Sequence, residues 1–161
     1  MISLRTLALA LLAICGLALL MAVVAQYGFG LRPCELCLIQ RVPFVVTALL
    51  AAFSLQDKTA PPVRRTLLWI AGLLLVLNGA IAVYHVGVEQ HWWASAVCPA
   101  SVEGAVTLDD LATAMNKPVE AHCDQPQWDF HGITMAAMNI PFSFGLGLLT
   151  LALLRRKDLQ S

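Results

Sequence analysis

Residues 7–25, 38–55, 67–86 and 134–154 form four apolar stretches, a pattern that an ordinary soluble fold does not repeat. About 20 residues of helix cross the roughly 30 Å of hydrocarbon in a bilayer, so each stretch predicts a membrane-spanning helix. With 59% hydrophobic and 12% charged residues and a mean hydropathy of +0.75, the chain is too apolar for a soluble domain. Its net charge of zero leaves no electrostatic case for nucleic acid as a partner. The first stretch follows Arg5 and competes with a cleaved signal peptide, whose apolar core runs only about 7 to 15 residues. Val23-Val24-Ala25 is also a poor cleavage site, so the stretch is read as a helix. Cys15, in mid-span without a polar neighbour, has the pattern of a small buried hydrophobe.

Charge placement predicts the orientation. Arg5, Lys58, Arg64, Arg65, Arg155, Arg156 and Lys157 flank one side of the spans, and Arg32, Arg41 and Lys117 the other. Both termini are therefore expected in the cytoplasm. Loops 26–37 and 87–133 then share the opposite, outer face. The second loop is acidic, with Glu89, Glu103, Asp109, Asp110, Glu120, Asp124 and Asp129 against Lys117. Within it, Thr107-Leu108-Asp109-Asp110-Leu111-Ala112 predicts a short helix capped by Thr107. Trp92, Trp93 and Trp128 are expected at the headgroup level. The predicted fold is an all-α membrane protein, residues 1–161 making one antiparallel bundle of four transmembrane helices with both outer loops at one end.

Four of the five cysteines fall on that outer face, where disulfides persist. Cys34 and Cys37 stand three apart at the mouth of the second span, roughly 5 to 6 Å between Cα atoms on a helical turn, within reach of a disulfide. A helix starting near Cys37 would favour a thiolate there, and Arg41 would add a fixed positive charge one turn on. Four cysteines allow three pairings. Proximity favours Cys34 with Cys37, leaving Cys98 with Cys123 as an exposed disulfide of the labile kind. The same thiols, alone or with His85, His91 or His122, are also a set for a soft metal ion. Against that reading, Cys98 and Cys123 are too far apart in sequence to form a second ligand pair, and no metal is expected. His85 closes the third span near the depth of Cys37, where it could move a proton.

These residues resemble one family, the bacterial disulfide bond formation protein DsbB. The resemblance rests on Pro33-Cys34-Glu35-Leu36-Cys37 followed by Gln40-Arg41, and on Tyr84-His85-Val86-Gly87-Val88-Glu89. It also includes Cys123 followed by Gln127-Trp128-Asp129-Phe130 and Gly132. It implies a multi-pass enzyme of the bacterial inner membrane, a thiol oxidase that recharges a DsbA-like periplasmic thiol oxidoreductase. A partner thiol would attack at Cys98, and electrons would pass from Cys98 and Cys123 to Cys34 and Cys37. Cys37 would hand them to ubiquinone or menaquinone from the membrane pool, with Arg41 and His85 on the cofactor side. A partner this oxidising cannot be recharged by a glutathione pool, whereas a quinone can accept its electrons. One departure from the family pattern is Ala136 after Met135, where a proline is usual; Pro141 lies deeper. Two alternatives remain: a paralogue serving a special DsbA-like partner, and a metal-binding or disulfide-stapled membrane scaffold.

Overall fold

The computed structural model describes residues 3–98, 121–126 and 128–156. The short helix expected at Thr107–Ala112 lies outside the described residues, as does Gln127. Helix α1 runs Leu4–Gly28, α2 Glu35–Ser54, α3 Pro61–Glu89 and α4 Met135–Arg155. All four are long and apolar enough to cross a bilayer, and the chain is an integral membrane protein with an all-α, four-span fold.

Each helix begins where its sequence supplies a cap or a proline, so the helices extend beyond the apolar runs. The Ser3 hydroxyl accepts from the Thr6 amide at 3.1 Å, and the Thr134 hydroxyl accepts from the Ala137 amide at 3.1 Å. Pro61 and Pro62 open α3, where a missing amide hydrogen costs nothing. At the other ends, arginines serve the orphan carbonyls. Buried Arg64 donates from Nε to Ser54 O at 2.6 Å and from Nη2 to Thr59 O at 3.3 Å, closing the α2–α3 turn. Arg65 donates to Leu154 O at the end of α4.

Leu4 and Leu7 at the start of α1 share one buried cluster with Ala51, Leu68 and Leu154. The beginnings of α1 and α3 and the ends of α2 and α4 thus lie together, which makes the bundle antiparallel. Consecutive helices pack on one another, α1 on α2, α2 on α3 and α3 on α4. Lipid tails are as apolar as leucine, so close backbone approach rather than hydrophobic burial must hold helices together inside the membrane. Gly147 supplies it, since a Cβ there would lie 2.9 Å from Gly72 O and from the Val76 amide of α3.

The sequence reading did not anticipate a two-stranded hairpin leading into α4, β1 Asp129–Phe130 against β2 Ile133–Thr134. Its turn residues His131 (φ 53°) and Gly132 (φ 81°) both have positive φ, as a primed hairpin turn requires. The hairpin delivers Thr134 to its capping position.

Gly147→Ala should destabilise the detergent-solubilised protein by about 1–3 kcal/mol in thermal unfolding. Gly145→Ala, where a Cβ meets nothing within 4 Å, should change it by less than about 1 kcal/mol.

Candidate redox site

At the other end of the bundle, α2 starts at Glu35, two residues before the expected position near Cys37, because Cys34 is its cap. Cys34 has extended backbone (φ −76°, ψ 170°) and its Sγ accepts the Cys37 amide at 3.3 Å. The Cys-x-x-Cys spacing is thus that of an N-cap and the third residue of the helix. Cys34 is buried at 4% exposure, while Cys37 is only partly covered. Both are free thiols. A hydrogen bond shared with the Cys37 sulfur, and after it burial, pushes the Cys34 thiol well above the ordinary range, so Cys34 keeps its proton.

His85, from the last turns of α3, reaches the same sulfur. Its Nε2 lies 3.5 Å from Cys34 Sγ, and its Nδ1 lies 2.8 Å from Gln40 Nε2. An amide nitrogen can only donate, so Nδ1 is the acceptor and the ring proton sits on Nε2, directed at Cys34. The ligand atoms of Cys34, Cys37 and His85 all lie within 4.8 Å of one another, which is the geometry of three ligands for a soft ion. The proton on Nε2 opposes that use, because a metal would need this nitrogen bare.

In the sequence Glu89 stands among the acids of the long loop and closes the Tyr84–Glu89 motif. It is instead the last residue of α3, with its side chain 5% exposed. Its Oε1 lies 3.8 Å from His85 Nε2, and its Oε2 accepts the Thr134 hydroxyl at 2.6 Å. The available signal was the four-residue step from His85, which puts both residues on one face of a helix.

Arg41 turns towards α1, donating from Nη1 to Gln26 Oε1 at 2.8 Å and from Nη2 to Ala22 O at 3.5 Å. It remains within electrostatic reach of Cys37, as does Glu89. Gln26, read before only as a loop residue, belongs to the final turn of α1 and holds the guanidinium.

Cys98 and Cys123 are joined as a disulfide, with Cα atoms 6.1 Å apart. The expectation that this bond is exposed is corrected. Cys98 is 8% and Cys123 2% exposed, and both pack in one cluster with Cys34, Leu36 and Val88. The chain after α3 folds back to bring them there. Trp93 stacks on Tyr84 and donates its indole N–H to Tyr84 O at 3.1 Å, while the Tyr84 hydroxyl accepts the Ala96 amide at 3.0 Å. Ser95 Oγ then accepts the Cys98 amide at 2.9 Å. Trp93 is therefore a clasp on α3 as well as a half-exposed aromatic. It fits only because residue 87 is glycine; a Cβ there would overlap the indole ring.

The structure thus brings Cys34, Cys37, His85, Cys98 and Cys123 to one end of the bundle, with Arg41 one turn into α2. His91 and His122 are not among the residues grouped around the thiols.

A family model described as "Disulfide bond formation protein DsbB" matches residues 4–153. Three curated relatives called "Disulfide bond formation protein B" align with the chain. That of Aromatoleum aromaticum is 29% identical over 83% of this chain and 82% of its own. That of Polaromonas sp. is 28% identical over 94% and 90%. The Chromohalobacter salexigens protein is 35% identical over a shorter reach, 49% and 46%. No solved structure matches the chain.

In the fully reduced protein at pH 8.5, iodoacetamide should label Cys37 and leave Cys34 unmodified, as peptide mass mapping would read. Gly87→Ala should displace Trp93 and uncover the loop disulfide, raising its rate of reduction by a water-soluble phosphine several-fold without loss of helix content.

Proposed function

The chain belongs to the DsbB family of disulfide bond formation proteins, and from that premise we propose that it is a quinone-dependent thiol oxidase of the bacterial inner membrane. It recharges a DsbA-like periplasmic dithiol, with both termini in the cytoplasm and the cysteine end of the bundle facing the periplasm. The observation that carries this reading is the packing of the Cys98–Cys123 disulfide in one buried cluster with Cys34.

The partner's thiolate attacks Cys98, the less covered of the two loop sulfurs. The Cys98–Cys123 bond breaks and Cys123 leaves as the thiolate. A second partner thiol releases the partner as a disulfide, so two electrons now rest on Cys98 and Cys123. These thiols reduce the Cys34–Cys37 disulfide in turn: Cys123 attacks Cys34 and Cys37 leaves, then Cys98 attacks Cys123, which re-forms the Cys98–Cys123 bond and releases Cys34 as a thiolate. Burial of Cys34, Cys98 and Cys123 in one cluster, with Cys37 packed against it, holds the sulfurs for this exchange.

Reoxidation closes the Cys34–Cys37 bond and releases two electrons and two protons. When bound, a quinone supplies the two-electron sink for this step. The residues present fit such a group. Cys37 is the partly exposed thiol, and Leu38 and Val42 beside it are 42% and 58% exposed on an apolar outer face. Arg41 offers guanidinium N–H groups to a quinone oxygen, and charge neutralisation near the developing anions is its contribution. Its bonds to Gln26 and Ala22 hold that charge at the α1–α2 seam.

The test mixes the purified protein with reduced DsbA and a soluble ubiquinone and follows quinone absorbance. The parent should consume quinone, Cys37→Ser and Cys98→Ser should not, and Arg41→Ala should be slower by about a hundredfold, the lower end of what loss of one fixed charge-stabilising donor costs. An undiminished rate in Cys37→Ser would refute the relay. Unchanged function in Cys37→Ser and Arg41→Ala together would favour a disulfide-stapled scaffold.

A further inference from the structure

A file of polar side chains crosses three helices below the thiols. Asn78 of α3 donates from Nδ2 to Ser143 Oγ of α4 at 3.0 Å. Ser143 donates to Asn139 Oδ1 at 2.8 Å, and Asn139 Nδ2 donates to Gln40 Oε1 of α2 at 2.7 Å. Gln40 Nε2 meets His85 Nδ1 at 2.8 Å, and His85 Nε2 meets Cys34 Sγ at 3.5 Å. Every bond points the same way, towards the sulfur. Asn78, Ser143, Gln40 and His85 are all buried.

An amide has a donor end and an acceptor end, so each link dictates the next. Asn139 occupies Gln40's oxygen and leaves only its NH2 for His85. That NH2 takes the lone pair on Nδ1, and the ring proton has to sit on Nε2. Glu89 reinforces the choice, because its carboxylate at 3.8 Å also faces Nε2. The titratable groups around the ring are Cys34, Cys37 and Glu89, of which Cys34 Sγ and the Glu89 carboxylate face Nε2.

We infer that Gln40 and Asn139 are positioning residues for thiol oxidation, holding His85 in the Nε2–H tautomer so that this donor faces Cys34 Sγ whenever charge develops on it. Charge develops there each time Cys34 leaves as a thiolate or gives up its proton to close the bond with Cys37. A neutral histidine with the other tautomer would present a lone pair to the same sulfur and repel that charge. The inference rests on the oxidase reading for its consequence, though not for its geometry.

The experiment uses full-length protein labelled with [15N]histidine, reduced and held in detergent, with His85 assigned by comparison with His85→Gln. The ring-nitrogen shifts report which nitrogen carries the proton. The parent should show Nε2–H. Asn139→Asp can only accept from Gln40, which then turns its oxygen to His85, and Gln40→Glu can only accept from Nδ1; both should move the proton to Nδ1. Quinone reduction driven by reduced DsbA should fall about a hundredfold in either variant, the lower end of what losing one aimed donor costs. An Nδ1–H parent would overturn the inference, as would a moved proton with turnover within twofold of the parent. If neither variant folds, the parent spectrum decides alone. A parent that reduces no quinone would instead defeat the oxidase reading, while the spectrum still tests the tautomer.

Discussion

The Cys34 sulfur is the point on which the cysteine end of the bundle turns. It starts α2 by accepting the Cys37 amide, it receives the His85 ring from α3, and it packs against the disulfide that closes the second loop. A sulfur that caps a helix is held in one place by the backbone. The helix's orphan Cys37 amide satisfies it. In the proposed relay, a sulfur tied in this way would pass between thiol and disulfide with little movement of the surrounding chain.

The membrane imposes the second constraint. Four apolar helices gain little from burying leucine against leucine when lipid is the alternative, so their association depends on close approach and on polar groups finding one another. Gly147 against Gly72 gives the approach on the α3–α4 seam, and the file from Asn78 to His85 gives the polar links between α2, α3 and α4. The first helix is fastened differently, through Arg41 to Gln26 and Ala22 at one end and Arg5 to Asp57 at the other. The basic residues that indicate orientation in the sequence thus have local duties too; Arg64 is a buried cap rather than a free charge.

Bringing the loop disulfide down onto Cys34 depends on aromatic packing. Trp93 lies over Gly87 and Tyr84, and Ser95 turns the chain so that Cys98 meets Val88 and Cys34. In the proposed relay, the same arrangement would shorten internal exchange and cover the sulfur that a partner thiol attacks. Delivery and protection are set by one small set of contacts at the end of α3.

Four apolar runs, a Cys-x-x-Cys at the start of one and a skewed distribution of arginine were enough in the sequence to determine a four-span membrane protein and its candidate cysteines, because length and hydropathy are local properties. The family resemblance was legible for the same reason: its motifs are short and contiguous. Glu89, Gln26 and Asn139 were not legible, since their meaning lies in partners 45, 15 and 99 residues away. The burial of the Cys98–Cys123 bond and the tautomer of His85 were likewise decided only by tertiary structure. Each depends on which side chains from different helices meet at one depth, and no periodicity within a single helix records that.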